Sequence, residues 1–327
     1  QGKVYSVVQS LLYFCKINDP TTWGSGTGSG FINMANQNAE NESLVCIRQY
    51  QNRIAVFSRN NIQIWVIAVD PANNTFQQSV ENTGTQSARS SLQYGNIDVF
   101  YYNDQGIRSL RARDSSNAPA VNDVGVSIDT FLQEYVKTLT GEQVARACSV
   151  IEPEAGREWT ALHNRIFVYS FFSGSKISAW TYYDLEDEVG DNDITEMVRA
   201  GNRMYIRSGN SIYLYGGDSN AVYPENDEIQ ATISIPYLSA GKIATVKGIN
   251  GFDAGLTGTW DVHLLPLCYD DTKEIHVGTY SRSTYATSSK NPVQHPVPLF
   301  AVKMTCSKAG AATVSNMAVH FDVEEET

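Results

Sequence analysis

One pattern constrains this chain more than any other: an apolar run of about five residues, a short polar turn and a second apolar run, repeated along the sequence. Its clearest copy is Arg53-Ile54-Ala55-Val56-Phe57, the turn Ser58-Arg59-Asn60-Asn61, then Ile62-Gln63-Ile64-Trp65. Runs of this length rich in β-branched and aromatic residues, separated by Asn and Ser, read as the two strands of a hairpin. The pattern returns at Asn96-Ile97-Asp98-Val99-Phe100 with Gly106-Ile107-Arg108-Ser109-Leu110, and at Arg165-Ile166-Phe167-Val168-Tyr169 with Lys176-Ile177-Ser178-Ala179-Trp180. It appears again at Arg203-Met204-Tyr205-Ile206 with Ser211-Ile212-Tyr213-Leu214-Tyr215, and a weaker copy opens the chain at Ser10-Leu11-Leu12-Tyr13-Phe14.

From first apolar position to first apolar position, Leu11 to Ile54 is 43 residues, Ile54 to Ile97 is 43, Ile97 to Ile166 is 69 and Ile166 to Met204 is 38. A period near 40 with several short strands per unit predicts radially repeated sheets, a β-propeller with more blades than the five visible repeats. The alternative is a β-sandwich whose hairpins happen to be alike. The expected organisation is all-β: a propeller over 1–226 with a helical insertion at 126–149, then a β-sandwich-like domain over 227–327.

The long spacing locates the insertion. From Ser127, read as an N-cap, apolar residues fall at Ile128, Phe131, Leu132, Tyr135, Val136 and Leu139, one face at helical spacing. Thr140-Gly141-Glu142-Gln143 has the capping-box spacing for a second short helix through Cys148. These helices read as a buttress outside the ring or as a contact surface for a neighbouring subunit. Past Asp227 the hairpin pattern stops, and Gln230–Ile235, Ile243–Ile249, Thr259–Leu265, Ile275–Tyr280, Phe300–Thr305 and Thr313–Phe321 read as strands of the second domain. Pro292, Pro296 and Pro298 read as a loop, and Glu324 to Glu326 as a solvated tail.

Composition narrows function. The 327 residues carry 24 Lys and Arg against 35 Asp and Glu, a net charge of -11, which opposes binding to a phosphate backbone but permits nucleic acid to slide past. Cys15, Cys46, Cys148, Cys268 and Cys306 are scattered, odd in number and without a CxxC, so free thiols in a reducing compartment are expected. No apolar run reaches the length of a membrane span. The chain begins at Gln1 without Met, and the first copy follows at once, so a preceding segment is expected.

A search for chemistry finds no catalytic, cofactor-binding or metal site. Gly24-Ser25-Gly26-Thr27-Gly28-Ser29-Gly30 lacks the Gly-Lys-Ser/Thr of a phosphate loop and reads as an exposed loop. The acidic run Asp184 to Asp193 lacks the register of a calcium loop. His163, His263, His276, His295 and His320 form no HxxxH, although His263 and His276 could meet across a hairpin. A propeller glycosidase would need paired carboxylates, for which Asp98 and Asp104 are the candidates; Asp98 reads more simply as a polar residue on the exposed side of a half-buried strand. Arg53, Arg165 and Arg203, following Asn52, Asn164 and Asn202, form the most regular polar feature: Asn is expected to supply the turn and Arg to cover a sheet edge.

Tyr50-Gln51-Asn52-Arg53-Ile54-Ala55-Val56-Phe57-Ser58-Arg59-Asn60-Asn61-Ile62-Gln63-Ile64-Trp65, followed by Tyr94 to Phe100 and Asp104 to Leu110, resembles the tail hub of short-tailed bacteriophages, the nozzle or packaged-DNA stabilisation proteins. The helix Ile128 to Leu139, the return Val150 to Trp159 and the closing Thr313 to Phe321 are similar to parts of that family in the same order. The resemblance implies a non-enzymatic virion component without cofactor: a homo-oligomeric, hexameric ring beneath the portal and adaptor. Such a ring extends the DNA channel, retains packaged DNA and lets it pass at ejection without specific binding. It also implies tail fibres or spikes as partners, a place in the virion tail, and assembly in the cytoplasm of a bacterial host. A carbohydrate-binding or carbohydrate-active propeller is the alternative.

Overall fold

The structure is a computed structural model, and it describes residues 2–24, 28–37, 42–96, 98–113, 123–172, 177–215, 230–241, 245–267, 270–286, 295–307 and 312–323. The chain divides into two units, 1–215 and 216–327. The expected boundary at 226/227 lies outside the described residues, as do Ile97, Lys176, Cys268 and Pro292.

The first unit is a series of short antiparallel sheets. Sheet 1 holds β1 (Tyr5–Val8), β2 (Leu11–Lys16), β3 (Asp19–Trp23) and β4 (Gly30–Asn33). Sheet 2 is the meander β5 (Cys46–Tyr50), β6 (Arg53–Phe57), β7 (Asn61–Val66) and β8 (Thr75–Glu81). Sheet 3 is β9 (Leu92–Tyr94), β10 (Asp98–Asn103) and β11 (Gly106–Ser109), followed by α1 (Leu110–Arg113), α2 (Asp129–Val136) and α3 (Gly141–Ala145). Sheet 4 is β12 (Cys148–Glu152), β13 (Arg157–Leu162), β14 (Arg165–Phe172) and β15 (Ile177–Asp184). After α4 (Glu186–Val189), sheet 5 is β16 (Ile194–Ala200), β17 (Arg203–Ser208) and β18 (Ser211–Leu214).

Alternation along the strands explains why these runs are apolar at nearly every position. Successive side chains point to opposite faces, and a sheet covered on both sides needs apolar residues at both parities. On β6, Ala55 and Phe57 enter a core shared with Val99 and Tyr101 of sheet 3. Val56 and Ile54 enter the core shared with Leu12 of sheet 1. Sheet 4 repeats the arrangement: Trp159, Ala161 and Val168 pack with Met197 and Ile206 of sheet 5, while Phe167 and Leu162 pack with Tyr102, Ile107 and Leu132. The sheets therefore stack in series.

The stack is open. Among the described residues no sheet closes on itself, and the several open sheets form neither a closed propeller nor a barrel. This overturns the propeller expectation. The period of about 40 residues encodes a sheet and its connection, whereas ring closure is a long-range contact that no local spacing specifies.

The turns hold a second correction. Where Asn52, Asn164 and Asn202 were expected to supply the turn, the left-handed backbone lies one residue earlier, at Gln51 (φ 54°), His163 (52°) and Gly201 (64°); the other two copies have it at Gln9 (54°) and Gly95 (58°). A tight hairpin turn that matches strand twist needs positive φ at its first central position, and Asn, standing second, does not supply it. The helices also shift. Ile128, not Ser127, is the N-cap of α2 and gives no side-chain cap, whereas the Thr140–Gln143 capping box forms on α3.

In place of two facing sheets, the described residues of the second unit form one six-stranded sheet built on a 19-residue strand, β20 (Lys247–Leu265). Its remaining strands are β19 (Ala231–Ser234), β21 (Ile275–Arg282), β22 (His295–Val297), β23 (Ala301–Cys306) and β24 (Thr313–Val323). The first part of β20 pairs with β22 and β24, the last part with β21 and β23. Register shifts beside Gly251 and between Thr257 and Trp260 bend it. Phe252, Leu256, Trp260 and Val262 from both parts then share one core. The Gly-rich stretch 250–258 lowers local strand propensity, which is why the sequence reads as two strands there.

Left-handed φ at a residue with a Cβ costs about 1–2 kcal/mol. Gln51→Gly is therefore expected to raise the thermal midpoint, by an amount equivalent to roughly 0.5–1 kcal/mol after the greater unfolded-state freedom of Gly is counted. Calorimetry of the two proteins checks it.

Candidate functional site

Two clefts and three buried polar groups of the first unit hold its chemistry-bearing side chains. The larger cleft, about 450 Å³, is walled by Phe131 and Tyr135 of α2, by His163 and Arg165 around the β13–β14 turn, and by Glu186 and Asp191. His163 Nδ1 lies 2.9 Å from Asp193 Oδ1, and Asp193 Oδ2 accepts from Arg146 Nη1 at 2.6 Å. The carboxylate selects the Nδ1–H tautomer, so Nε2 is left as the acceptor facing the Gln143 amide at 3.5 Å. The 3.1 Å approach of that amide to Nδ1 is then a contact and not a bond.

The Arg165 guanidinium sits 4.3 Å from the centre of the Tyr135 ring and donates from Nε to Asp184 Oδ2 at 2.8 Å. Tyr135 donates its hydroxyl to Asn164 Oδ1 at 2.8 Å. The cleft hydroxyl of Thr138 donates to Tyr135 O and not to His163. The arrangement therefore joins His163 and Asp193 without offering that histidine a nucleophile, and acts as a clamp between α3, the β13–β14 turn and β16. Asp184 and Asp193, the two ends of the acidic run, pair with Arg165 and Arg146, and Asp193 also accepts from His163 Nδ1.

The second cleft, about 440 Å³, runs along Arg48 of β5, Ser91 and Leu92, Ser149 and Val150 of β12, and Glu196 of β16. Its cations are committed. Arg48 donates to Ser91 O, Ala88 O and Ile47 O, and Arg89 donates to Thr195 O and Glu196 Oε2.

The carboxylates proposed from sequence do not converge. Asp98 and Asp104 bracket β10, some six residues apart along an extended strand, or roughly 20 Å at 3.3–3.4 Å per residue. Paired glycosidase carboxyls stand about 5–9.5 Å apart. Asp98 does not face solvent as the sequence suggested: β10 is buried on both faces, and Asp98 accepts from Ser109 Oγ at 2.6 Å, Arg111 N at 3.0 Å and Val99 N at 2.7 Å, so it caps the entry to α1. Burial pushes its carboxyl above the usual range against these bonds. Asp104 lies in an exposed turn with Arg59 and Gln86.

Arg108 of β11 is the most heavily engaged cation. It donates from Nη1 and Nη2 to Asp129 at 2.7 and 2.9 Å and to Gln105 O at 2.8 Å. Its Nε stands 3.5 Å from Asp123 Oδ2, close enough for ion pairing but without hydrogen-bond geometry. This buried pair fastens α2 to sheet 3. Of the three repeated arginines, Arg165 covers Tyr135 as described, and Arg53 and Arg203 open β6 and β17 opposite Tyr50 and Ala200.

Sequence reasoning passed over Glu158. It is buried on β13, opposite Ile151 and Tyr169, with Oε1 bonded to Thr160 Oγ1 and Oε2 without a partner. Thr160 Oγ1 in turn meets Ser149 Oγ at 2.7 Å, which reaches Ser90 O at 3.2 Å. With the carboxyl protonated, three hydrogens serve the three bonds of this chain; with it ionised, Thr160 donates to Glu158 and the single Ser149 hydrogen can serve Thr160 or Ser90 O but not both. Burial pushes the carboxyl up to about 7. Its burial is set by residues far along the chain, so the local sequence carried no signal for it.

In the second unit, His263 and His276 are register partners with ring centres 5.1 Å apart, beside Glu274 and Asp261. Among the described residues, no group of three or more His, Cys, Asp or Glu is arranged to hold a metal. Cys15, Cys46, Cys148 and Cys306 are buried and joined in no disulfide among the described residues, and burial pushes Cys148 up to about 12. Among the described residues no helix is long and apolar enough to cross a membrane.

No protein-family model and no curated protein sequence matches this chain. Among solved structures it is similar to the computationally designed Ika8 protein, with 11% identity over 64% of this chain and 56% of that one, at a TM-score of 0.36. The chain thus spans just over half the length of the designed protein it matches, and at that score the similarity bears on neither fold nor function.

Two outcomes follow from the buried groups. Because the folded state raises the Glu158 pKa from 4.5 to about 7, the native protein holds a proton that the unfolded chain releases, and stability falls as pH rises through that window. Glu158→Gln is expected to remove this slope and to be more stable than the parent at pH 8 by on the order of 2–3 kcal/mol, read by denaturant titration at pH 5 and pH 8. Asp129→Ala removes two charge-assisted hydrogen bonds from the buried Arg108 and leaves Asp123 as its counter-charge, and is expected to cost about 1.5–3 kcal/mol by the same titration.

Proposed function

We propose that this protein is a non-enzymatic structural component of a short-tailed bacteriophage tail, a nozzle or hub that assembles as a homo-oligomeric ring. The observation that carries the reading is the order of its sequence motifs: hairpin, helix, return strand and closing strand follow in the order of the family that they resemble. In this role the ring, hexameric in that family, sits beneath the portal and adaptor and carries fibres or spikes. It retains packaged DNA and lets it pass at ejection. The net charge of -11 supports the channel role, since acidic residues along a lumen repel the phosphate backbone and leave DNA free to slide. The protein would be assembled in the bacterial cytoplasm and reside in the virion tail. The propeller form of that family is not part of the proposal.

A second reading, a carbohydrate-binding protein, draws on the aromatic and acidic cleft of Phe131, Tyr135, Glu134, Glu186 and Asp191. Light scattering after size exclusion, with negative-stain images of the same fraction, separates the two. Rings with a central hole, alone or with a portal–adaptor complex, are expected. A monomer that ignores the complex overturns the tail reading, and glycan binding lost in Tyr135→Ala would then favour the second.

A further inference from the structure

The hydroxyl chain that starts at Glu158 ends on the wall of the smaller cleft. Glu158 and Thr160 stand two residues apart on β13, so they share a face with their register partners on β12, Ile151 and Ser149. Ser149 and Ile151 line the cleft together with Ser91 and Leu92. Residues 87–91, which lead into β9, meet the start of β12 along a seam crossed by three bonds: Ser87 Oγ to Ala147 O, Ser149 N to Arg89 O at 2.9 Å, and Ser149 Oγ to Ser90 O at 3.2 Å. On its other side this segment is held to sheet 2 by Arg48, which donates to Ala88 O and Ser91 O, so it stays in place whatever happens at the seam.

Of the three bonds, the last depends on a proton elsewhere. A hydroxyl has one hydrogen to give. With Glu158 protonated, donation runs from Glu158 to Thr160, from Thr160 to Ser149 and from Ser149 to Ser90 O. An ionised Glu158 can only accept, so Thr160 turns to donate to it, and the charge polarises Ser149 to donate to Thr160 in turn. Ser90 O then loses its hydrogen. The second carboxyl oxygen, Oε2, has no partner that would hold the charge otherwise. The titratable groups on the facing surfaces are phenols: Tyr169, the register partner on β14; Tyr94 of β9, stacked on Phe100, which meets Tyr169 edge-on; and Tyr102 of β10, beside Phe167. Arg157 and Glu152 pair with each other on the opposite parity, and at the cleft Arg89 is paired with Glu196. Burial, opposed by the Thr160 bond alone, pushes the Glu158 carboxyl up to about 7.

We infer that Glu158, Thr160 and Ser149 form a proton-operated latch on the cleft wall: when the carboxyl loses its proton the hydroxyl chain reverses, and Ser149 releases Ser90 O to the water of the cleft. The latch is shut at pH 6 and released at pH 8, because the folded protein holds the proton below this window and gives it up above. It goes beyond the fall in stability expected from the same carboxyl, since it is a change within the folded state that is carried over three side chains to a surface. It does not rest on the tail reading.

NMR of the full chain between pH 5 and pH 9 tests it on the signals of the folded protein, which unfolding at high pH does not shift. The amide nitrogen of Ser91 reports the hydrogen bond on the carbonyl before it, and its shift is expected to titrate with the same midpoint as the side-chain carboxyl carbon of Glu158. In Glu158→Gln the amide donates to Thr160 at every pH, so Ser91 is expected to stay at the parent's pH 6 position throughout. Thr160→Val cuts the chain: Glu158 still titrates and Ser91 no longer follows it. If that variant does not fold, Ser149→Ala makes the same cut and is expected to hold Ser91 near the parent's pH 8 position. A Ser91 shift that stays flat while Glu158 titrates overturns the latch. So does a Ser91 titration that survives in Glu158→Gln or in the cut chain, or a Glu158 carboxyl that does not titrate between pH 5 and pH 9.

Discussion

Everything in the first unit depends on one constraint: a three- or four-stranded sheet with apolar residues on both faces cannot stand in water alone. Burying an apolar side chain of the size of Val, Ile or Phe contributes roughly 1.5–3 kcal/mol, and the sheets of this unit place such residues on both sides. Sheet 2 can satisfy both parities of β6 only with a neighbour on each side, and sheets 1 and 3 fill those places. The same requirement carries sheet 4 against sheet 5 and against the helices beside sheet 3. Cores in this unit lie between sheets, so each sheet is held by its neighbours more than by itself.

Polar groups inside this stack fasten one layer to the next. Arg108 pairs with Asp129 and so fixes the start of α2 against β11. Asp193 joins the β13–β14 turn to α3 through His163 and Arg146. Asp98 spends its carboxylate on Ser109 and the backbone of Arg111, which turns the chain out of sheet 3. A buried ion pair of this kind adds little net stability over apolar packing, but it penalises every arrangement in which its partners separate. Glu158 differs. With only hydroxyls around it and one oxygen unpartnered, it is held neutral by burial, and it makes the sheet 3–sheet 4 layer sensitive to pH.

The legible part of the fold was local. Hairpins at Arg53–Trp65 and Arg203–Leu214 follow from alternation and turn composition, and the capping box at Thr140 follows from spacing alone. What misled were features that locality does not determine. A 40-residue period counts sheets without saying whether their ends meet. Asn52 and Asn164 look like the turn-forming residues, yet positive φ falls on Gln51 and His163, because the hairpin sets which position is strained and the side chain only tolerates it. In the second unit, Gly251, Gly255 and Gly258 suggested a break where the chain instead bends one continuous strand. Among candidate side chains, the pairing of His263 with His276 could be read from their places on two strands of a hairpin. Glu158 could not, since its burial depends on sheet 3 lying over it.

By itself, the sequence determined the strand units, their alternation, their order along the chain and the two helices inserted among them, because all of these rest on contacts between residues near one another in the chain. Only the tertiary structure decided that the sheets stack in an open series, that β20 carries both parts of the second unit, and that Asp98 caps a turn far along its strand from Asp104. Those outcomes rest on which faces meet across long separations in sequence. Two faces of equal apolarity look the same along the chain until one of them is covered.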